Sequence, residues 1–99
     1  MELTAQYVLR ELEKHAEVLR GFGVKRIGVF GSVARGEARK DSDLDFLVEL
    51  SRLTFEDYTA LLLYLDDLFG RPVDAVLVQD LRPEWREGIL SEVVYAGGV

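Results

Sequence analysis

Gly31 to Asp45 reads GSVARGEARKDSDLD, and the rest of the chain is organised around it. The stretch follows the apolar run Ile27-Gly28-Val29-Phe30 and leads into a second one, Phe46-Leu47-Val48. The pattern predicts a strand, a tight polar turn and a second strand. Asp43 and Asp45 are two apart, and residues two apart on a strand share a face. At about 4 Å and an effective dielectric near 20, two like charges repel by about 4 kcal/mol. A strand built only for packing rarely tolerates that, whereas a divalent cation site requires it.

Working outward, Leu3 to Arg20 carries Val8, Leu12, His15, Ala16 and Leu19 at helical spacing. Thr4 suits its N-cap, and Gly21 and Gly23 end it. His15, the chain's one histidine, reads as a packed helix residue. Val24 to Phe30 is the first strand, Val33 to Gly36 one helical turn, and Glu37 to Ser42 a charged loop. In the second strand, Asp43 to Leu50, the residues Leu44, Phe46, Val48 and Leu50 line the core face. Asp43, Asp45, Leu47 and Glu49 line the other, open at least near the two acids.

Thr54 caps a second helix whose buried stripe is Tyr58, Leu61, Leu62, Leu65, Leu68 and Phe69. Gly70 and Pro72 stop it. Val73 to Val78 is a third strand. A last helix, beginning at Asp80 or Arg82 and ending at Tyr95, turns Trp85, Ile89 and Val93 inward, with Leu90 and Val94 as further candidates. Ala96 to Val99 reads as a frayed end. The expected fold is α+β in the order α-β-β-α-β-α, a small mixed sheet with helices packed on one face. At 99 residues, a single domain over 1–99 is the default.

Bulk properties narrow the classes. The chain is 48% hydrophobic, which fits a folded core. It lacks cysteine, so there is no disulfide framework and no thiolate metal site. No apolar run is long enough to cross a bilayer, and the charged, amphipathic start is unlike a signal peptide; a cytoplasmic protein is expected. The net charge of −6 lacks the basic footprint of direct nucleic-acid binding.

Asp74 is a lone acid in the strand VDAVLV. If that strand pairs beside the second, Asp74 joins Asp43 and Asp45 on the open face. Three oxygen-bearing acids suit Mg²⁺, which completes its shell with water and substrate phosphates. Gly31-Ser32 opens a helical turn whose unpaired N–H groups can hold phosphate oxygens, with the Ser32 hydroxyl as a further donor. Phosphate cradle plus acid cluster equips a chain for nucleotidyl transfer.

In these motifs the chain resembles the DNA polymerase beta-type nucleotidyltransferase superfamily. Gly31-Ser32-x-x-Arg35-Gly36 followed by Ser42-Asp43-x-Asp45 is similar to its minimal nucleotidyltransferase (MNT) branch. Asp74 falls where the family has its third carboxylate, and ILSEVVYAG resembles the branch's last helix. The resemblance implies that Gly31 and Ser32 hold the β- and γ-phosphates of ATP and that Asp43 and Asp45 bind Mg²⁺. It also implies that Asp74 binds a second Mg²⁺ and serves, or helps orient, the base for the attacking hydroxyl. Arg35 and Ser42 complete the nucleotide site; Arg39 and Lys40 are further candidates for phosphate charge, or a solvated loop.

The branch implies a partner as well. MNT proteins of this size pair with HEPN-domain ribonuclease toxins, and members act as antitoxins that transfer AMP from ATP to a tyrosine of the toxin. Two alternatives stand beside this: a nucleotidyltransferase for a small hydroxylated molecule such as an aminoglycoside, and a non-catalytic module that neutralises its partner by occlusion. Trp85 and Tyr95 are the apolar candidates for a partner surface.

Overall fold

The computed structural model describes residues 3–39, 41–52 and 54–99. Lys40, one candidate for phosphate charge, lies outside them. The chain starts with α1 (Ala5–Lys14) and α2 (Ala16–Gly21). β1 (Val24–Phe30), α3 (Gly31–Ala34) and β2 (Leu44–Leu50) follow. Then come α4 (Phe55–Phe69) and β3 (Val73–Leu77), a short 3₁₀ turn (Val78–Asp80), α5 (Pro83–Glu92) and β4 (Val94–Tyr95). The sheet order is β3-β2-β1-β4. β2 and β3 are parallel and joined through α4; the other pairs are antiparallel.

Alternation on the strands builds the core as expected. Leu44, Phe46 and Val48 of β2 pair with Val73, Ala75 and Leu77 of β3; Phe46 and Val48 also pair with Val29 and Ile27 of β1. These side chains meet Val8 and Leu12 of α1, Leu19 of α2, and Leu61 and Leu65 of α4 in one buried cluster. Thr4 and Thr54 cap α1 and α4, their hydroxyls accepting from Tyr7 N–H at 3.1 Å and Asp57 N–H at 3.0 Å. Gly70 ends α4 in the left-handed conformation.

The opposite face divides in two. Leu47 is buried there with Phe30 and Leu81, under Val76, Ile89, Val93 and Tyr95. The expected opening is thus confined to the acid end, and α5 rests against the apolar end.

Five local expectations change. The first helix breaks at His15. Its Nδ1–H donates to Glu11 C=O at 2.8 Å, a carbonyl its own backbone N–H also approaches at 3.2 Å. A side chain that competes for a helical carbonyl bends or interrupts the helix. The turn after β1 starts at Gly31, two residues early, and Gly36 follows it at φ +73°.

The last helix stops at Glu92, and the segment to Tyr95 becomes an edge strand. The tail does not fray: Ala96 is buried, its N–H donates to Ile27 C=O at 2.9 Å, and Arg20 binds Gly98 C=O. Gly28 makes this docking possible, since a Cβ there would lie 2.8 Å from Val93 Cγ2 and from Val94 O. Trp85, expected inward, is 53% exposed with Arg82 5.0 Å over its ring; Leu90 and Val94 are also exposed.

Candidate active site

The site grows from the register of three adjacent strands. Phe30, the last residue of β1, pairs with Asp45 of β2, and Asp45 pairs with Asp74 of β3. Asp45 and Asp74 therefore stand abreast on the same face of neighbouring strands, which run about 4.8 Å apart. The condition set by the sequence, that the third strand pair beside the second, is met. Asp43 lies just before β2 and is exposed; Asp74 is exposed and Asp45 half-buried.

The strand end above Asp45 is shaped by one glycine. Gly31 has φ +77°, and a Cβ there would stand 3.1 Å from Asp45 Cγ and 3.3 Å from its Cβ. Two constraints, the left-handed backbone and the close approach of a carboxylate, exclude any side chain. This turn sets Gly31, the first residue of α3, against Asp45, with Ser32 next along it. Amide N–H groups in the first turn of a helix have no intrahelical partner and face outward.

Electrostatics mark Asp45 as the stressed member of the row. Its pKa is pushed above the usual carboxylate range, first by burial, then by the charges of Asp74 and Asp43 and, less, of Glu92; Arg35 opposes these. The aspartates are not drawn into a closed shell. Among the described residues, no three acidic or histidine side chains converge as a metal cage.

Arg35, at the end of α3, is held by two acids. Its Nε donates to Glu37 at 2.9 Å and its Nη1 to Glu92 Oε2 at 3.1 Å. Ser42 does a different local job: its hydroxyl accepts from Arg39 N–H at 2.7 Å and its carbonyl from Arg71 at 3.0 Å, closing the loop that delivers Asp43. Arg39 is exposed. A cleft of about 310 Å³ between the start of α1 and α3 touches Arg35 and Gly36 but none of the aspartates. The acid row is an open surface.

Of the expected site residues Gly31, Ser32, Arg35, Ser42, Asp43, Asp45 and Asp74, the structure sets Gly31 and Asp74 against Asp45 and places the charges of Asp43 and Arg35 within its reach. Sequence reasoning missed Glu92, which accepts from Gly31 N–H at 2.9 Å. The available signal was an acid at the end of a helix with no basic residue in its last turn, where the dipole disfavours negative charge.

A strand, a Gly-Ser turn and Asp45 abreast of Asp74 on the next two strands make up the fold of a nucleotidyltransferase domain. The nucleotidyltransferase domain family matches residues 9–96, and the chain belongs to it. Within that family it is similar to the protein adenylyltransferase MntA of Thermococcus cleftensis, with 41% identity over 94% of this chain and 96% of the relative. A solved structure described as a minimal nucleotidyltransferase shares 43% identity, with a TM-score of 0.71 over 87% of this chain and 93% of the other. A more distant fold neighbour comes from the complex of a tri-AMPylated Shewanella oneidensis HEPN toxin with MNT antitoxin. It has 18% identity and a TM-score of 0.64 over 92% of this chain and 73% of that one.

Proposed function

We propose that this nucleotidyltransferase is a Mg²⁺-dependent protein adenylyltransferase, an antitoxin that transfers AMP from ATP to a tyrosine hydroxyl of a HEPN ribonuclease toxin. The observation that carries the reading is the alignment of Asp45 with Asp74 on neighbouring strands, with Gly31 close against Asp45. The identity to an adenylyltransferase and the fold shared with a HEPN–MNT complex support the choice of nucleotide and acceptor.

In this reading Gly31 and Ser32 hold the β- and γ-phosphates: Gly31, whose own N–H is held by Glu92, lets the phosphates approach the backbone, and Ser32 supplies its backbone N–H and hydroxyl. Arg35 offsets phosphate charge. The donor set fits Mg²⁺: it is all oxygen, anionic and open, and this ion binds through one or two carboxylates plus substrate phosphates instead of a closed protein cage. Asp43 and Asp45 would hold one Mg²⁺ and Asp74 a second, and the ions would supply charge neutralisation across the triphosphate and alignment of the attacking oxygen. The acceptor oxygen attacks the α-phosphorus, and its proton passes to the Asp74 carboxylate. The bond from the α-phosphorus to the bridging oxygen breaks, and pyrophosphate leaves.

Mass spectrometry tests this. The purified chain is mixed with Mg²⁺, ATP and its cognate HEPN protein. A gain of one or more AMP units on a tyrosine of the partner is expected, abolished by Asp43→Asn. A tight complex without any mass gain would replace the reading with neutralisation by occlusion.

A further inference from the structure

Glu92 stands in an electrostatically poor place. It is the last residue of α5, at the negative end of the helix, with no basic residue in that turn. Its charge also adds to the acids already crowding Asp45. Yet it is held firmly. Oε1 accepts from Gly31 N–H at 2.9 Å and lies 3.4 Å from Arg35 Nη1, which donates to Oε2 at 3.1 Å. One carboxylate thus ties α5 to both the glycine of the turn and the arginine beside it. Its side chain is 26% exposed, against 47% for Arg35.

The choice of atoms matters. Glu92 takes the N–H of Gly31 and leaves the Ser32 amide and hydroxyl, next along the turn, to a ligand. Among the described residues Arg35 is bonded through Nε, to Glu37, and Nη1, to Glu92. A guanidinium has five N–H donors, so the Nη2 edge stays available while the plane is fixed from two sides. A long cation ordered in advance loses less freedom when its ligand arrives.

We propose that Glu92 is a positioning residue for the nucleotide: it fixes the Gly31–Ser32 turn and the Arg35 guanidinium so that both meet the triphosphate already in place. This rests on the nucleotide reading above. It opposes a different role for the same carboxylate, that of an internal anion competing with phosphate, and the two roles differ in sign.

Calorimetric titration of MgATP into the folded chain separates them, with Glu92→Gln, Glu92→Ala, Arg35→Ala and the Arg35→Ala/Glu92→Ala pair as variants. Glu92→Ala is expected to weaken MgATP binding about tenfold, the scale of a lost charged hydrogen bond. Glu92→Gln keeps an acceptor for Gly31 N–H and should lose only about threefold. The paired variant should bind less weakly than the product of the two single losses, because part of the Glu92 effect acts through Arg35. A purely structural role would lower melting temperature without this coupling.

Tighter or unchanged binding in Glu92→Gln overturns the proposal, even if Glu92→Ala fails to fold. Losses that simply multiply in the paired variant overturn it too. Wild-type protein that does not take up MgATP overturns the nucleotide reading and this inference with it; wild-type binding with insensitive Glu92 variants overturns the inference alone.

Discussion

The two faces of β2 are built from alternate residues of one seven-residue strand, and they obey different physics. On one face Leu44, Phe46 and Val48 are fully buried against α1, α2 and α4. On the other, Leu47 is covered by α5 while Asp45, two residues earlier, sits beside Asp74 with its pKa raised. The first face gains free energy from burial. The second keeps charges together at a cost that the core must offset. The contrast explains how so short a strand serves stability and chemistry at once: the pleat keeps the two apart.

The largest expected effect lies on the core face. Phe46→Ala empties a fully buried site between Val29, Ala75 and Phe69. It should lower unfolding free energy by about 3–5 kcal/mol in a denaturant titration. If it costs under about 1 kcal/mol, the core has been misplaced.

Next comes the boundary between the faces. Ser32→Ala should leave stability nearly unchanged and weaken MgATP binding by about 1.5–3 kcal/mol, the value of a hydrogen bond to a charged group. Unchanged affinity would remove Ser32 from the phosphate cradle. Gly31→Ala forces a left-handed backbone on alanine at about 1–2 kcal/mol and pushes a methyl group into the Asp45 carboxylate. It should reduce both stability and transfer, read by thermal melting and by partner labelling.

The smallest effect on stability, and the one of opposite sign, is Asp45→Asn. Relief of repulsion from Asp74 and Asp43 should leave the metal-free protein equally or slightly more stable at neutral pH while abolishing transfer. The pH dependence follows from the raised pKa. The folded state holds the Asp45 proton more tightly than the unfolded chain. Its contribution to stability is therefore fully present below the ordinary carboxylate pKa and lost as pH rises through the elevated one. Melting curves across the acidic range should show that component in the wild type and not in Asp45→Asn.

Much of this contrast is legible in the sequence, because it depends on short-range rules. Alternation assigned the faces of β2, the caps Thr4 and Thr54 fixed two helix starts, and Asp74 stood out as a lone acid in an apolar strand. What escaped depends on tertiary contact. The helix break at His15 is a competition for the Glu11 carbonyl, invisible to periodicity. The strand β4 and the docked tail need the gap over Gly28, which only the fold reveals. Trp85 fits an apolar stripe yet is half exposed, because this segment meets the sheet through Ile89 of α5 and Val93 just after it instead. Glu92 lies 61 residues from Gly31, and although an acid at a helix end is out of place there, nothing in the sequence says which residue it reaches.

One labelling experiment tests the central claim most directly. The chain is incubated with Mg²⁺, its cognate HEPN protein and ATP carrying label on either the α- or the γ-phosphate. Nucleotidyl transfer at the Gly31–Asp45–Asp74 site predicts that α-label alone becomes bound to the partner, and that Asp45→Asn removes it. Label arriving from the γ-phosphate, or α-label that persists in Asp45→Asn, would contradict the account.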